Sequence, residues 1–323
     1  MIRTKLTKRL AIKHPVILAP MAFAAGGALA AAVSRAGGLG LIGGGYGDAD
    51  WLKREFGQAG NQVVGGGIIT WALAKQPQLL DLILDHAPKA VFLSFGDPAP
   101  FSAKIRAAGV TLICQVQTLR DAKHAIDLGA DIIVAQGAEA GGHGENRATI
   151  TLVPEVADCI ANHAPEVLLC AAGGFADGRG LAAALMLGAD GCIVGSRFLA
   201  SPEALVHQNA KDTILAACGD ATLKTTVTDI VRRRNWPDRY AIRVLRNRFT
   251  KQWHGNETAL RKDTRQGEIW AKALAAGDVE HSSVVVGEAA GLIKDIKPAG
   301  EILQDMVSEA AGLLRGADGF VEG

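Results

Sequence analysis

The sequence contains few aromatic residues, no paired cysteine motif and almost no net charge. Its five cysteines include no CxxC pair, so neither a zinc finger nor a disulfide scaffold is expected, and we predict no metal site. The 34 basic and 33 acidic residues leave a formal charge of +1, which predicts no general attraction to nucleic acid or to an acidic membrane. No apolar run approaches the ~20 residues that a membrane-spanning helix needs.

Hydrophobic residues and glycine are abundant instead. Hydrophobic residues make up 49% of the 323 residues and charged residues 21%, a balance typical of a folded chain with a sizeable core. The 39 glycines predict many tight turns and close backbone approaches.

Eight short apolar segments alternate with segments rich in Ala and Leu, which predicts strands alternating with helices. Such alternation favours parallel strands covered by helices, and eight repeats indicate an α/β fold of the (β/α)8 TIM-barrel type. An open doubly wound sheet is the alternative, but the GxGxxG expected near its first turn is missing. The predicted strands are Pro15–Met21, Leu39–Gly45, Val63–Ile69, Ala90–Gly96, Thr111–Gln117, Asp131–Gly137, Glu166–Gly174 and Gly191–Phe198.

The composition changes after the eighth predicted strand. Residues 224–265 hold twelve lysines and arginines, which predicts a small helical insertion at 209–280. The barrel then comprises 1–208 plus 281–323, closed by a helix at about 299–315. The basic cluster is interpreted as a solvated helical face or subunit contact, with an anionic cofactor tail or nucleic acid as the alternatives.

The N-terminal region resembles a secretory signal, because a basic start precedes an apolar stretch. Pro20 interrupts that stretch and Arg35 ends it, and the segment also fits a barrel strand followed by a helix. We therefore predict a cytoplasmic protein.

Two glycine-rich turns follow neighbouring strands at the face where barrel enzymes carry their chemistry. Gly173 and Gly174 end the seventh predicted strand, and Gly195 and Ser196 end the eighth. Exposed N–H groups there form the phosphate site of many barrels. We predict that these four residues bind a phosphate group.

A polar, glycine-rich loop follows the sixth predicted strand and contains Gln136, Gly141, Gly142 and His143. A histidine at the catalytic face is poorly explained by core packing, and its near-neutral pKa suits proton abstraction beside an activated carbon. We predict His143 as the catalytic residue, with Glu139 orienting or capping the loop.

Other strand ends suggest a flat ring over the barrel mouth. The first strand ends Ala19-Pro20-Met21, Gly67 leaves bare backbone on the third, and Gln115 supplies a neutral donor on the fifth. Together with the phosphate site, these features predict a planar phosphorylated ligand, and flavin mononucleotide (FMN) has that shape.

Four segments in this order and spacing, PVILAPM at 15–21, AQGAEAGGHG at 135–144, AGGFADG at 172–178 and VGSRF at 194–198, resemble the nitronate monooxygenase family. The enoyl-acyl-carrier-protein reductase II enzymes carry a similar histidine loop. The resemblance spans nearly the whole chain. The sequence departs from the family pattern at Gly65–Thr70, Glu145-Asn146 and Glu288. These departures bear on the identity of the substrate more than on flavin binding.

The resemblance implies non-covalent FMN and the oxidation of alkyl nitronates, of the propionate 3-nitronate type, by O2 to a carbonyl compound and nitrite. His143 matches the family's active-site histidine. The alternatives are an FMN-dependent NAD(P)H reductase of a quinone or enoyl thioester, and a non-enzymatic flavin carrier or RNA binder. The oligomeric state of the protein is left open, with a homodimer as one alternative. The implied FMN contacts are Ala19, Pro20, Met21, Gly67, Gln115, Gln136, Gly141, Gly142, Gly173, Gly174, Gly195 and Ser196.

Overall fold

A computed structural model describes residues 1–320, and its main feature is a barrel of eight parallel strands. All eight predicted strands are present, each somewhat shorter than its apolar segment. The barrel strands are β1 (Val16–Leu18), β2 (Gly40–Gly43), β3 (Val64–Ile69), β4 (Ala90–Ser94), β5 (Thr111–Val116), β6 (Ile132–Gln136), β8 (Leu168–Ala172) and β9 (Gly191–Val194). Three further strands are β7 (Gly142–Gly144), β10 (Thr222–Thr225) and β11 (Ala241–Leu245).

Helices follow the strands, as the alternating pattern predicts. They are α1 (Lys5–Leu10), α2 (Gly27–Arg35), α3 (Ala49–Ala59), α4 (Thr70–Leu73), α5 (Gln78–Asp85), α6 (Ala99–Ala107), α7 (Leu119–Asp127), α8 (Thr149–His163), α9 (Gly178–Met186), α10 (Ser196–Leu199), α11 (Gln208–Ala216), α12 (Val227–Val231), α13 (Arg248–Trp253), α14 (Glu257–Lys262), α15 (Gln266–Ala275) and α16 (Ala299–Arg315). Short 3₁₀ helices span Gly219–Ala221, Glu288–Leu292 and Ala317–Phe320.

Strand pairing runs around the barrel in the order β1-β9-β8-β6-β5-β4-β3-β2. A single parallel bridge between Ile17 and Leu39 joins the two ends of this series. The Leu18 N–H donates to the Leu39 carbonyl at 2.9 Å, and the Leu39 N–H donates to Val16 at 3.1 Å. The prediction of a TIM barrel is therefore confirmed.

Alternate residues of each strand face the barrel interior. In β8, Leu168, Cys170 and Ala172 belong to the interior cluster, whereas Leu169 and Ala171 pack under the outer helices, as the period of two requires. Leu6 and Leu10 of α1 join the interior cluster. The basic N-terminal segment thus forms a helix that packs its leucines into the barrel.

Glutamates from distant parts of the chain cap four of the helices. Glu55 accepts from the Gly27 N–H at 3.0 Å at the start of α2, and Glu309 accepts from Gly178 at 2.7 Å at the start of α9. Glu203 and Glu139 do the same for α16 and α8. A carboxylate at a helix N-terminus satisfies an otherwise unpaired N–H and complements the helix dipole.

The insertion contains α11 to α15, as predicted, together with two strands that the sequence analysis did not predict. β10 and β11 pair in antiparallel fashion, and β11 pairs with β7 in the histidine loop. The insertion is therefore hydrogen-bonded to the loop after β6. Its predicted bounds, 209–280, stay a prediction, and the last three residues of the predicted barrel domain lie outside the described residues.

Two sequence expectations concern membranes and cysteines. Within residues 1–320, no helix combines the length and the apolar character that a bilayer crossing requires. Cys114, Cys170 and Cys192 are buried on barrel strands as free thiols. Burial raises the pKa of the Cys114 thiol to about 12, so this residue behaves as a small hydrophobic group.

Candidate functional site

The carboxyl ends of the barrel strands surround one cavity. It holds about 1310 Å³ of empty space, including the part that is open to solvent. His143 and all twelve predicted cofactor contacts line it, so the structure brings every predicted site residue together. These residues are Ala19, Pro20, Met21, Gly67, Gln115, Gln136, Gly141, Gly142, His143, Gly173, Gly174, Gly195 and Ser196.

The histidine loop takes its shape from the pairing of β7 with β11. His143 lies opposite Ile242 in this ladder, and Gly142 adopts a φ of +78°, which favours glycine. A side chain at Gly141 would approach the backbone nitrogen of Gly287 to 2.5 Å. The two glycines therefore let the loop turn tightly and present the histidine to the cavity.

The imidazole of His143 is paired with a carboxylate that the sequence analysis did not identify. Nε2 of His143 lies 2.9 and 3.0 Å from the two carboxylate oxygens of Asp229 on α12. Both side chains are buried, with 8% and 4% of their surface exposed. Burial lowers the pKa of His143 below its ordinary value, while the hydrogen bond and charge of Asp229 act in the opposite direction.

This pairing determines which nitrogen of His143 is available. A carboxylate can only accept a hydrogen bond, so the neutral ring carries its proton on Nε2 and leaves a lone pair on Nδ1. The lowered pKa keeps the ring neutral at neutral pH. Such a ring can accept a proton at Nδ1, and the carboxylate of Asp229 would stabilise the resulting imidazolium.

An aromatic wall from the insertion and the barrel packs against the histidine. The Trp236 ring stacks on His143 with centroids 3.4 Å apart and planes 9° apart. The indole N–H of Trp236 donates to the Tyr46 hydroxyl at 3.0 Å. The ring centroids of Phe95 and Trp236 lie 5.1 Å apart. Phe95 adopts a φ of +60°, and such strained backbone conformations cluster at functional sites. Trp236, Tyr46 and Phe95 all line the cavity.

Three glutamines form a hydrogen-bonded group on β5, β6 and the turn after β5. The side-chain oxygen of Gln136 accepts from Gln117 at 2.7 Å and from Gln115 at 3.2 Å. These two bonds orient the Gln136 amide so that its nitrogen remains a donor. Gln117 was not among the predicted site residues, although it ends the predicted fifth strand.

The predicted phosphate turns are close in space and rich in backbone donors. Gly173 and Gly174 have φ of +103° and +87°, which favour glycine. Gly195 is the N-cap of α10. Among residues 1–320, the N–H groups of Gly174 and Gly195 donate to no protein acceptor. The hydroxyl of Ser196, in contrast, accepts from the Gly287 N–H at 2.9 Å.

Glu139 has a structural contact of its own. Its carboxylate accepts from the Thr149 N–H at 3.0 Å and from the Thr149 hydroxyl at 2.8 Å. Glu139 was expected to orient or cap the loop itself, and in the structure it caps the N-terminus of α8. The carboxylate charge is thereby directed to a helix N-terminus.

Gly67 and Gly195 both pack closely against the end of the first strand. A Cβ at Gly67 would collide with the Pro20 ring, so a side chain is excluded there. A Cβ at Gly195 would lie 3.4 Å from Ala19 and from the Met21 sulfur. Bare backbone and small side chains therefore form this part of the wall.

The basic residues of the insertion make different kinds of contact. Arg232 lines the cavity, whereas Arg243 pairs with Glu288 at 2.8 Å. Lys224 donates to the Glu145 carbonyl, and its burial and the charge of Arg243 lower its pKa to about 8. Glu145 and Glu288, which depart from the family pattern, thus bind the insertion to the barrel. In the part of the chain that the structure describes, no group of three or more His, Cys, Asp or Glu has metal-binding geometry.

Comparisons with known proteins agree with this geometry. The family model described as nitronate monooxygenase matches residues 3–65 and 67–309. A nitronate monooxygenase of Neurospora crassa is 33% identical over 356 aligned positions, which cover 95% of this chain and 92% of the relative.

Two solved structures share the whole architecture. FabK from Thermotoga maritima superposes with a TM-score of 0.87 at 32% identity, covering 99% of this chain and 100% of that chain. A nitroalkane oxidase from Streptomyces ansochromogenes gives a TM-score of 0.80 at 25% identity, covering 97% and 99%. The chain belongs to the nitronate monooxygenase family, a family of flavin-dependent oxidoreductases.

Proposed function

We propose that this protein binds FMN and oxidises alkyl nitronates, of the propionate 3-nitronate type, with O2 to a carbonyl compound and nitrite. The observation that carries the proposal is the convergence of thirteen predicted residues on one cavity beside the buried His143–Asp229 pair. The relatives that carry the name nitronate monooxygenase support the reaction class.

The cavity fits a phosphorylated planar cofactor. The N–H groups of Gly174 and Gly195, which have no protein acceptor in the described residues, are donors for a phosphate. Gln115 and Gln136 would contact the ring system, and Gly67 leaves room for the Pro20 ring in the cavity wall. When bound, FMN would supply the redox chemistry by accepting electrons from the substrate and passing them to O2.

His143 would handle the proton of the substrate. Nδ1 of the neutral ring would take the proton from a neutral nitroalkane, and Asp229 would stabilise the imidazolium that forms. The imidazolium formed in this step would then hold the nitronate that results from the proton transfer. The stacked Trp236 ring fixes the plane of the imidazole and shields it from water.

The specific observation behind a second candidate function is the likeness to FabK at a TM-score of 0.87. In this alternative, the same flavin cavity would serve an NAD(P)H-dependent reductase of a quinone or an enoyl thioester. Both functions need the barrel contacts to FMN, so cofactor binding alone does not separate them.

An anaerobic titration of the purified yellow protein separates the two functions. One sample receives propionate 3-nitronate or ethyl nitronate, and the other receives NADH and then NADPH, while flavin absorbance is recorded. We expect the nitronate to change the flavin spectrum and neither nucleotide to bleach it. Rapid bleaching by a nucleotide without a response to nitronate would support the reductase, and a colourless protein that cannot be reconstituted with FMN would contradict both.

Nitronate oxidation would make the protein a detoxifying enzyme with two small-molecule partners, the nitronate and O2. A nucleic-acid partner is not part of the proposal. The homodimer and the cytoplasmic location stay predictions.

A further inference from the structure

Arg232, which lines the cavity, differs in its contacts from three other arginines of the structure. Arg197, Arg239 and Arg243 each pair with a carboxylate. Among residues 1–320, the guanidinium of Arg232 forms no ion pair and no hydrogen bond with another side chain, although it lies in the cavity wall. Its charge is therefore available to a ligand.

Aromatic rings hold this cation in place. The guanidinium carbon of Arg232 lies 5.2 Å from the Tyr46 ring centroid and 5.8 Å from that of Trp270. Contacts of this kind stabilise a cation without neutralising it. Arg232 is also the C-cap of α12, three residues after Asp229, so the helix that positions the catalytic pair also positions this guanidinium.

Arg232 and His143 are linked along the cavity wall by the contacts of two aromatic side chains. His143 stacks on Trp236, Trp236 donates to Tyr46, and Arg232 lies over Tyr46. A ligand that touches both polar groups would therefore pass across this aromatic surface. A guanidinium binds planar carboxylates well, because its parallel N–H groups match the two oxygens.

We propose that Arg232 recognises a carboxylate at the end of the substrate remote from its nitronate group, and so determines the preference for nitronates of organic acids. This inference rests on the proposed function. It assigns to Arg232 a role in specificity, while His143 acts at the nitronate end.

The test compares two nitronates that differ only at the remote end. Propionate 3-nitronate carries a carboxylate where propyl-1-nitronate carries a methyl group. We expect Arg232→Gln to lower kcat/KM for propionate 3-nitronate by about 10- to 100-fold, the range for losing a hydrogen bond to a charged group. The loss for propyl-1-nitronate should be smaller, because its methyl end offers the guanidinium no acceptor and only the effect of the Arg232 charge on His143 is removed, so the ratio of the two kcat/KM values should fall by about tenfold or more.

Arg234 provides a matched control. Its guanidinium carbon lies 4.4 Å from the same Tyr46 ring, but the side chain is exposed and does not line the cavity. Arg234→Gln should therefore leave the ratio of the two kcat/KM values unchanged. Arg232→Lys should recover part of the preference, because it restores the charge without the planar fork.

Equilibrium binding supplies a measurement without turnover. Succinate has the chain length of propionate 3-nitronate, with a carboxylate replacing the nitronate, and butyrate lacks the second carboxylate. We expect Arg232→Gln to raise the calorimetric Kd of succinate about tenfold or more and to raise that of butyrate by less, because the single carboxylate of butyrate can also bind at the His143 end.

Several outcomes would overturn the proposal. An equal loss for both nitronates would mean that Arg232 acts at the nitronate or shapes the cavity, and no loss for either would mean that it contacts no substrate. If the wild type oxidised neither nitronate, the proposed function would fail. The difference between succinate and butyrate would still decide whether Arg232 binds a second carboxylate.

Discussion

The barrel and the insertion contribute to the cavity in different ways. The barrel supplies mainly backbone and small residues, such as Ala19, Gly174 and Gly195. The insertion supplies the larger side chains Arg232, Trp236 and Ile242, and its Asp229 contacts His143 from behind the wall. Under the proposed function, the barrel would hold the cofactor and the insertion would adapt the cavity to a substrate. Variants on the two sides should therefore affect different measurements.

The largest effect is expected for His143→Asn, which removes the proposed general base. His143 lies in the barrel loop that pairs with the insertion. Turnover of a neutral nitroalkane should fall by roughly 10²–10⁴-fold, the usual contribution of a general base. Stopped-flow reduction of the flavin by nitroethane measures the loss, and the flavin content should be retained. His124→Asn, at an exposed histidine that contacts Asp97, is the control. Normal turnover by the His143 variant would contradict the assignment.

Asp229→Asn should lower the same rate by at least about tenfold and by no more than His143→Asn, because an amide in place of the orienting carboxylate favours the wrong histidine tautomer. The new amide can donate to Nε2 and so move the ring proton to Nδ1, which removes the lone pair. Asp238→Asn, at an exposed position of the insertion, is the control. A full rate would show that the pair does not orient the base.

The pH profile tests the Asp229 effect further. The acidic limb of kcat/KM should have its midpoint below the ordinary histidine value of about 6.5, because burial lowers the pKa of His143. Activity is lost as the pH falls through that pKa, since the imidazolium cannot act as a base. In Asp229→Asn the residual activity should have its midpoint at still lower pH, because the carboxylate raises this pKa. An unmoved midpoint would indicate a purely structural role.

A barrel variant should affect cofactor binding instead. Gly173→Ala places a Cβ 2.9 Å from the Gly137 carbonyl at a φ of +103°, a conformation that costs about 1–3 kcal/mol for other residues. We expect the Kd of FMN to rise about tenfold, measured by quenching of flavin fluorescence, while the pH midpoint of turnover does not move. Gly57→Ala, where a Cβ meets nothing within 4 Å, should leave the Kd of FMN unchanged. Tight FMN binding by the Gly173 variant would exclude this turn from the cofactor site.

The smallest effect is expected for Glu139→Gln, which weakens the N-terminal cap of α8. Loss of the charged cap should lower the free energy of unfolding by about 1 kcal/mol, measured by urea denaturation. Glu155→Gln, in an exposed pair with Arg147, should lower it by less than about 0.5 kcal/mol. Equal losses would show that the cap contributes no more than a surface ion pair.

The barrel could be predicted in detail because its information is local. Short apolar segments such as Val64–Ile69 are recognisable by composition, and parallel strands bring their carboxyl ends together without any long-range contact being known. The glycines at 173, 174 and 195 follow strands directly, so their position in the sequence implies their position at the cavity.

The insertion could not be predicted to the same extent. β10 and β11 lie in a polar segment without a clear alternating pattern, and β11 forms because it pairs with the histidine loop. Asp229 lies 86 residues from His143. A lone acidic residue before a run of arginines was the only signal for it, and that signal did not specify a partner.

The sequence by itself determined the fold, the family and the side of the cavity built from strand ends, because periodicity and short glycine motifs act over a few residues. The carboxylate that contacts His143, the ring that stacks on it and the lack of an ion pair at the cavity-lining Arg232 could be seen in the folded structure alone. These features depend on contacts between segments far apart in the chain, and burial and distance, which set their energies, are properties of the folded molecule alone.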